Sequence, residues 1–242
     1  MDKVKLFCIP YAGGNAAVYY KWKKYLTDDI ELCPIELPGR GNRIEESLCD
    51  HIISIVEDVY ESVIPFLNDK SEYSIFGHSM GSLIAYELYY KLIENGYKEP
   101  VHLFFSGGIA PQRRLRESTS YHLPLEQFKE EVLKYGMKTS SLMFENQDLI
   151  NFFVPILRAD FKIVETYEYI SKKQKIGCNM TALFGKKDQT MTFDDIKGWG
   201  IHANKTFQLH ELDGGHFFIN ECTHEVSEII NRTIRNKMSY NV

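Results

Sequence analysis

Several features that would define a class of protein are scarce or missing in this sequence. Its five cysteines are widely spaced and include no C-x-x-C pair, which argues against a zinc site and against a disulfide framework. Lys and Arg number 28 against 33 Asp and Glu, so the net charge is −5, and no basic stripe suits nucleic acid. No apolar run approaches the roughly 20 residues that span a bilayer. We therefore expect no nucleic-acid partner, no membrane partner and reduced thiols.

The sequence also contains no linker-like tract, and we expect no targeting segment. No Pro-, Ser- or Gly-rich tract and no charge block divides the 242 residues. The first predicted core strand begins by Val4, so we expect no signal peptide. A hydrophobic fraction of 44% is enough for a substantial core. We expect one domain over residues 1–242 and a monomer in the cytoplasm.

The stretch YSIFGHSMGSLIAYELYY at residues 73–90 carries the most specific pattern. A short apolar run precedes GHSMG, and apolar residues at helical spacing follow it. A strand, a sharp turn and a helix around Gly-x-Ser-x-Gly are typical of a nucleophile elbow, where a Cβ at either glycine would collide with a neighbouring strand or helix. We predict that Ser79 is a nucleophile. An ordinary Gly-rich turn is the alternative.

Apolar runs of strand length alternate with helical patterns along most of the chain. The apolar runs are Val4–Pro10, Ile30–Leu37, Tyr73–Phe76 and Val101–Phe105, and the strand pattern resumes at Asn179–Phe184 and Phe207–Leu212. This alternation predicts a mostly parallel α/β sheet with helices on both faces. The strand rhythm stops from residue 111 to about residue 173. We expect that helical interval to be a lid over the C-terminal edge of the sheet, where active sites of such sheets lie.

Two further predicted loops at that edge carry a candidate acid and base. Asp188 follows the fifth predicted strand, and His216 follows the sixth predicted strand and a Gly-Gly pair. The order Ser79, Asp188, His216 is the order of serine, acid and histidine expected for a triad on such a sheet. His216 would take the proton of the serine, and Asp188 would orient the imidazole. Asp213 is the second choice for the acid.

Two backbone N–H groups are predicted to form an oxyanion hole. Ala12 lies in the loop YAGGN after the first strand, and Met80 follows the predicted nucleophile. These are the places from which hydrolases of this architecture donate to the oxyanion. For the first loop a simple turn is the alternative. His78, inside the elbow, is expected to point away from Ser79 and to be structural.

Charged residues near these loops have less specific interpretations. Arg40 and Arg43 are expected to fix their own loop by pairing with nearby acidic residues, or to meet a phosphate. The acidic candidates are Glu36, Glu45 and Glu46. Asp160, on a predicted lid helix, is interpreted as a structural charge.

Seven segments taken together resemble the type II thioesterases of nonribosomal peptide and polyketide synthases. They are PYAGGN at 10–15, LPGRGNR at 37–43, GHSMGSLIAYEL at 77–88, LFFSGGIAP at 103–111, LRADF at 157–161, FGKKDQ at 184–189 and GGHFFI at 214–219. The resemblance implies an α/β-hydrolase fold without the usual first strand and with a mobile helical lid. It also implies substrates bound as thioesters to the phosphopantetheine arm of an acyl or peptidyl carrier protein, from which misprimed or stalled acyl groups are removed.

Site roles carried over from this resemblance agree with the pattern of the loops. Ser79 is then the nucleophile, Asp188 the acid and His216 the base, with Met80 and the Ala12 region as oxyanion donors. The triad chemistry requires no metal and no redox cofactor, and the phosphopantetheine belongs to the substrate. The segment YGMKTSSLMFEN at 135–146 departs from the family pattern, since it lacks Gly-Gly and Pro features of the lid.

Three alternatives stay open from the sequence. The same triad would serve a medium-chain fatty-acyl thioesterase or a small-molecule carboxylesterase, because specificity resides in the lid. A non-catalytic binding protein with a hydrolase fold is the alternative from another class. The basic cluster Arg113, Arg114 and Arg116 lies near the predicted start of the lid. It would attract an acidic carrier protein or simply be a solvated run of charge.

Overall fold

One parallel sheet organises the chain. The computed structural model describes residues 3–68, 72–113, 119–136 and 143–239, and within these ranges six strands form a sheet in the order β2-β1-β3-β4-β5-β6. The strands are β1 Val4–Ile9, β2 Ile30–Pro34, β3 Tyr73–His78, β4 His102–Ser106, β5 Asn179–Gly185 and β6 Phe207–Leu212. Each of the five pairings is parallel. The C-terminal ends of these strands therefore share one edge, as the alternation predicted.

Helices occupy the connections between the strands. The α-helices are α1 Ile52–Val63, α2 Met80–Glu94, α3 Leu125–Leu133, α4 Gln147–Glu165, α5 Phe193–Lys197, α6 Phe218–Glu221 and α7 Thr223–Ser239. Short 3₁₀ helices are Ala16–Lys24, Gly41–Arg43, Ile64–Phe66, Pro111–Arg113 and Gly198–His202. Across the described ranges, no helix combines the length and the apolar character needed to cross a membrane.

Alternate residues of each central strand pack against opposite faces of the sheet. Phe7 of β1 belongs to one buried apolar cluster, which includes residues of α1 and α2. The next residue, Cys8, belongs to a second cluster, which includes residues of α7. Successive side chains of a strand point to opposite faces of the sheet, so a strand whose residues are all apolar is buried on both faces. Helices on both faces, as predicted, are confirmed.

The chain between β4 and β5 builds an apolar cluster of its own. Side chains from α3 and α4 meet there, and Ala12, from the loop after β1, packs against them. The buried members are Phe128, Val132, Met143, Phe144, Val154, Leu157 and Phe161. This helical interval is the predicted lid at residues 111–173. Its movement as a lid and the single-domain assignment over residues 1–242 stay predictions.

A buried polar network ties the 3₁₀ helix Gly198–His202 to α2. Tyr86 Oη lies 3.3 Å from His202 Nδ1, and His202 Nε2 lies 2.6 Å from Gln112 Oε1. Because an amide oxygen only accepts, Nε2 carries the proton and Nδ1 accepts from the tyrosine. Burial, with a smaller contribution from the charge of Lys175, lowers the pKa of His202 from 6.5 to about 4. The imidazole is therefore neutral near neutral pH.

Acidification should destabilise the protein through His202. Between pH 6.5 and about 4 the unfolded chain binds a proton at this residue that the folded chain does not bind, so stability falls as the pH falls through that window. We expect the free energy of unfolding of the parent to decline relative to His202→Gln over this window, and the difference to level off below it. Urea titrations at several pH values measure this, and a constant difference would contradict the prediction.

Candidate active site

The turn after β3 holds Ser79 in an unusual backbone conformation. Ser79 has φ 54° and ψ −113°, and it is the only described residue other than glycine with a positive φ. A Cβ on Gly77 would lie 2.1 Å from the carbonyl oxygen of Gly81, and a Cβ on Gly81 would lie 2.2 Å from that of Ile9. Both neighbours are backbone atoms, which cannot turn aside as a side chain can. The requirement for glycine at both positions is therefore confirmed.

The structure brings together the three side chains that the sequence predicted as a triad. Ser79 lies between β3 and α2, Asp188 follows β5, and His216 follows β6. His216 Nε2 is 2.9 Å from Ser79 Oγ, and His216 Nδ1 is 2.7 Å from Asp188 Oδ2. The imidazole thus bridges the hydroxyl and the carboxylate at the C-terminal edge of the sheet.

Thr190, which the sequence reasoning did not single out, supports the carboxylate of Asp188. Its backbone N–H and its hydroxyl donate to Asp188 Oδ1 at 2.9 Å and 2.7 Å. Burial by itself raises the pKa of Asp188, but the hydrogen bond and charge of His216, together with the donors of Thr190, bring it below its ordinary value. Asp188 is therefore ionised. An Asp two residues before a Thr is an Asx-turn pattern, and this signal could have identified the residue.

The second choice for the acid lies elsewhere. Asp213 Oδ1 is 2.9 Å from Lys187 Nζ, and both side chains are exposed to solvent. The acidic side chain that contacts the imidazole of His216 is Asp188. Geometry thus favours the first choice.

His78 is buried behind the site and connects two of its loops. Its Nε2 donates to the carbonyl oxygen of His216 at 3.0 Å, and its Nδ1 lies 2.8 Å from Ser106 Oγ. Burial and the neighbouring charge of His216 lower its pKa well below the ordinary value. Gly107 has φ +55°, and a Cβ there would lie 2.6 Å from the ring of His78. The neutral ring therefore supports the backbone that carries His216, in keeping with a structural role.

Ala12 and Met80 both line the cavity beside Ser79. Met80 is the first residue of α2, so its N–H is one of those that a helix leaves without an intrahelical acceptor. The partial positive charge of the helix N-terminus adds to the attraction for an anion at this place. The loop of Ala12 is a tight turn, closed by the N–H of Gly14 donating to the oxygen of Tyr11 at 2.9 Å.

A mainly apolar cavity of about 470 Å³ opens beside Ser79 and His216. Its apolar wall comes largely from α3 and α4, namely Val132, Leu149, Phe153, Leu157, Phe161 and Val164. Val132, Leu157 and Phe161 also belong to the cluster between these helices. The apolar residues of the interval therefore both pack on one another and line the cavity. A nucleophile at the end of such a cavity suits a carbonyl that carries an apolar group.

The two arginines of the loop after β2 have different partners. Arg43 binds Glu46, as predicted, and also Asp58, with Arg43 Nη1 2.8 Å from Asp58 Oδ2. For Arg40 the predicted glutamate partners were wrong, because its guanidinium forms a buried bidentate ion pair with Asp160.

The predicted basic cluster is described only in part. Arg113 is exposed at the end of a 3₁₀ helix. Arg114 and Arg116 lie outside the described residues, as do residues 137–142 of the segment 135–146. The proposed role of this cluster in attracting an acidic partner stays a prediction.

Similarity to known proteins extends over nearly the whole chain. The Thioesterase domain family model matches residues 4–237. The gramicidin S biosynthesis protein GrsT of Aneurinibacillus migulanus is 35% identical over 233 residues, which cover 96% of this chain and 90% of GrsT. The medium-chain S-acyl fatty acid synthase thioesterase of Rattus norvegicus is 32% identical over 224 residues, which cover 91% of this chain and 83% of that enzyme.

A solved structure has closely similar geometry. The crystal structure of ClbQ, from the colibactin NRPS/PKS pathway, superposes with a TM-score of 0.93 at 32% sequence identity. The match covers 99% of this chain and 100% of ClbQ. Structural neighbours of this kind are thioesterases with the α/β-hydrolase fold.

Proposed function

Since this chain belongs to the thioesterase family and is therefore a thioester hydrolase, we propose that it acts as a type II thioesterase in nonribosomal peptide or polyketide synthesis. Its proposed substrates are aberrant or stalled acyl groups on the phosphopantetheine arm of an acyl or peptidyl carrier protein. The names of two relatives support this role, since GrsT is a gramicidin S biosynthesis protein and ClbQ belongs to the colibactin pathway.

The observation that carries the proposal is the hydrogen-bonded chain from Ser79 through His216 to Asp188, at the end of an apolar cavity. In the proposed mechanism, His216 Nε2 takes the proton of Ser79 as the hydroxyl oxygen attacks the thioester carbonyl. The ionised carboxylate of Asp188 holds the proton on Nδ1 and stabilises the imidazolium that forms. As the intermediate collapses and its C–S bond breaks, the imidazolium gives its proton to the departing thiolate sulfur, which leaves as the free thiol.

The negative oxygen of the tetrahedral intermediate is proposed to accept hydrogen bonds from the N–H groups of Met80 and Ala12. Such a donor is worth about 2.7–4 kcal/mol of transition-state stabilisation. Water, activated by His216, then hydrolyses the acyl enzyme and frees Ser79. These steps use side chains, backbone and water, so the proposal invokes no cofactor. A monomer with a single domain over residues 1–242 is part of the same proposal.

A medium-chain fatty-acyl thioesterase is the second candidate. Its support is the 32% identity to the medium-chain enzyme of rat and the apolar wall of the cavity, which suits an alkyl chain as well as a stalled intermediate. The two candidates share the same chemistry at Ser79. They differ in the acyl group and in the carrier that presents it.

A comparison of substrates tests the proposed function. We expect kcat/KM for an acyl group on a synthase carrier protein to exceed that for the same acyl group on coenzyme A by about tenfold or more, because carrier contacts add binding energy. A nitrophenyl ester of the same acid should be poorer still. Short and medium acyl chains are compared on each carrier, with Ser79→Ala as the blank for uncatalysed hydrolysis.

Each other outcome of that comparison contradicts the proposal. Preference for the nitrophenyl ester would indicate a carboxylesterase. A rate that rises steeply with alkyl length and does not depend on the carrier would favour the fatty-acyl candidate. Absence of turnover on all three substrates would favour a binding protein.

A further inference from the structure

A buried ion pair joins three segments of the chain, namely the loop after β1 that contains Ala12, the loop after β2 and helix α4. Arg40 follows β2 and Asp160 lies in α4, and their side chains are almost wholly buried, at 4% and 0% exposure. Arg40 Nη1 and Nη2 donate to Asp160 Oδ2 and Oδ1 at 2.7 Å and 2.8 Å. Asp160 Oδ2 also accepts from the backbone N–H of Gly13 at 2.7 Å. One carboxylate thus binds both the guanidinium and the loop after β1.

These contacts fix the peptide group before Gly13 and the peptide group after Gly14. The N–H of Gly13 is held by Asp160, and the carbonyl of Gly14 accepts from Arg40 Nη1 at 3.2 Å. Gly13 itself has φ +76°, and a Cβ there would lie 2.6 Å from Leu157 Cδ2 of α4. Helix α4 therefore packs directly on this loop as well as binding it through Asp160.

The orientation of the Ala12 N–H follows from the same turn. A trans peptide directs its C=O and its N–H to opposite sides. The Tyr11 carbonyl shares its peptide plane with the Ala12 N–H and is held by the N–H of Gly14 at 2.9 Å. A rotation of that plane would have to break the turn, and the turn is anchored at Gly13 and Gly14 by the ion pair. The direction of the Ala12 N–H thus depends on Asp160.

We propose that Asp160, held by Arg40, is a positioning residue that aims the Ala12 N–H at the oxyanion. This inference rests on the proposed function, in which Ala12 is an oxyanion donor. It assigns α4 two tasks, since the helix that lines the cavity through Leu157 and Phe161 also fixes the backbone beside the nucleophile. The oxyanion hole is then correctly formed only when α4 is correctly placed.

Removal of one partner alone is an ambiguous test. A lone charge left in this buried place destabilises the protein strongly, whereas apolar residues of similar volume can replace a buried pair at little cost. We therefore compare two double variants, Arg40→Met/Asp160→Leu and Arg40→Met/Asp160→Asn. Both lack the ion pair, and Leu and Asn are similar in size. They differ in that the Asn oxygen can still accept from the N–H of Gly13.

We expect turnover to depend on whether the side chain at position 160 keeps an oxygen that accepts from the N–H of Gly13, and not on the stability of the variant. Loss of an oxyanion donor lowers kcat by about 10²–10³-fold, so the Leu double variant should have a kcat about tenfold or more below that of the Asn double variant. KM should stay similar between the two, because a group that acts only in the transition state leaves ground-state binding unchanged. Urea unfolding of both variants provides the comparison of stability.

Affinity for an alkyl trifluoromethyl ketone gives a second readout. This compound adds to a serine hydroxyl and leaves a negative oxygen where the oxyanion would form, so its dissociation constant should rise in parallel with the loss of kcat. If the Leu double variant does not fold, Arg40→Met/Asp160→Ala takes its place, because it also lacks the acceptor for the N–H of Gly13 and leaves no lone buried charge.

The outcomes separate the two proposals. Equal kcat and equal inhibitor affinity in the Leu and Asn variants, with an active parent, would overturn the positioning role and leave the proposed function intact. A loss of kcat in strict proportion to lost stability would overturn it as well. A parent that hydrolyses no thioester would contradict the proposed function and, with it, this inference.

Discussion

Replacing Ser79 by alanine should lower the rate of thioester hydrolysis by about 10⁴-fold or more, because the proposed covalent step is then impossible. The change removes one oxygen, and alanine also relinquishes the hydrogen bond to His216 Nε2. Substrate affinity should change little, since the cavity keeps its shape. Single-turnover kinetics with an acyl-carrier protein measure the rate, and a fluorophosphonate probe should label the parent and leave Ser79→Ala unlabelled.

A second variant tests whether Ser79 and His216 act together in the reaction. His216→Ala should be nearly as slow, and the double variant Ser79→Ala/His216→Ala should be no slower than the worse single one, since residues that act as a unit are not additive. Circular dichroism and thermal unfolding check that each variant is folded. Activity of Ser79→Ala above about a hundredth of the parent rate would contradict the assignment of the nucleophile.

Replacing Gly77 by alanine should disrupt both the fold and the reaction. The new Cβ would lie 2.1 Å from the carbonyl oxygen of Gly81 and 2.6 Å from the backbone nitrogen of Ser82. Overpacking in a core typically costs about 1–3 kcal/mol, and here the obstacle is main chain within the nucleophile turn. We expect a loss of about 3 kcal/mol or more in the free energy of unfolding, measured in urea, with thioester hydrolysis strongly reduced.

Gly215 supplies the matched control for that prediction. A Cβ on Gly215 has no heavy atom within 4 Å, and the residue does not have a positive φ. Gly215→Ala should therefore stay within about 0.5 kcal/mol of the parent in stability. If both alanine variants unfolded at the same urea concentration as the parent, the steric account of the elbow would be wrong.

Strand positions were predictable because a buried parallel strand leaves a continuous apolar run. The run from Val4 matches β1 to within one residue, and the run Val101–Phe105 is shifted from β4 by one residue. Helix ends were less predictable, since apolar periodicity does not mark them. The pattern at residues 48–67 predicts one long helix, yet α1 spans Ile52–Val63 and gives way to a 3₁₀ helix that contains a proline.

The residues of the site that lie in local sequence patterns could be predicted, whereas contacts between distant segments could not. The elbow and the loops after β5 and β6 are local patterns, so Ser79, Asp188 and His216 could be named before their distances were known. Arg40 and Asp160 are 120 residues apart, and nothing in either segment indicates the other, so a nearby glutamate was the wrong partner. The helix α5 was missed, although its Thr192–Asp195 capping box is a recognisable local signal.

The backbone of Ser79 has a consequence for engineering. A non-glycine residue held at φ 54° typically costs of order 1–3 kcal/mol, and that cost persists because the surrounding turn enforces it. Glycine would avoid this penalty. Directed evolution that selects only for heat resistance would therefore favour Ser79→Gly, an inert protein, so each round must also select for turnover.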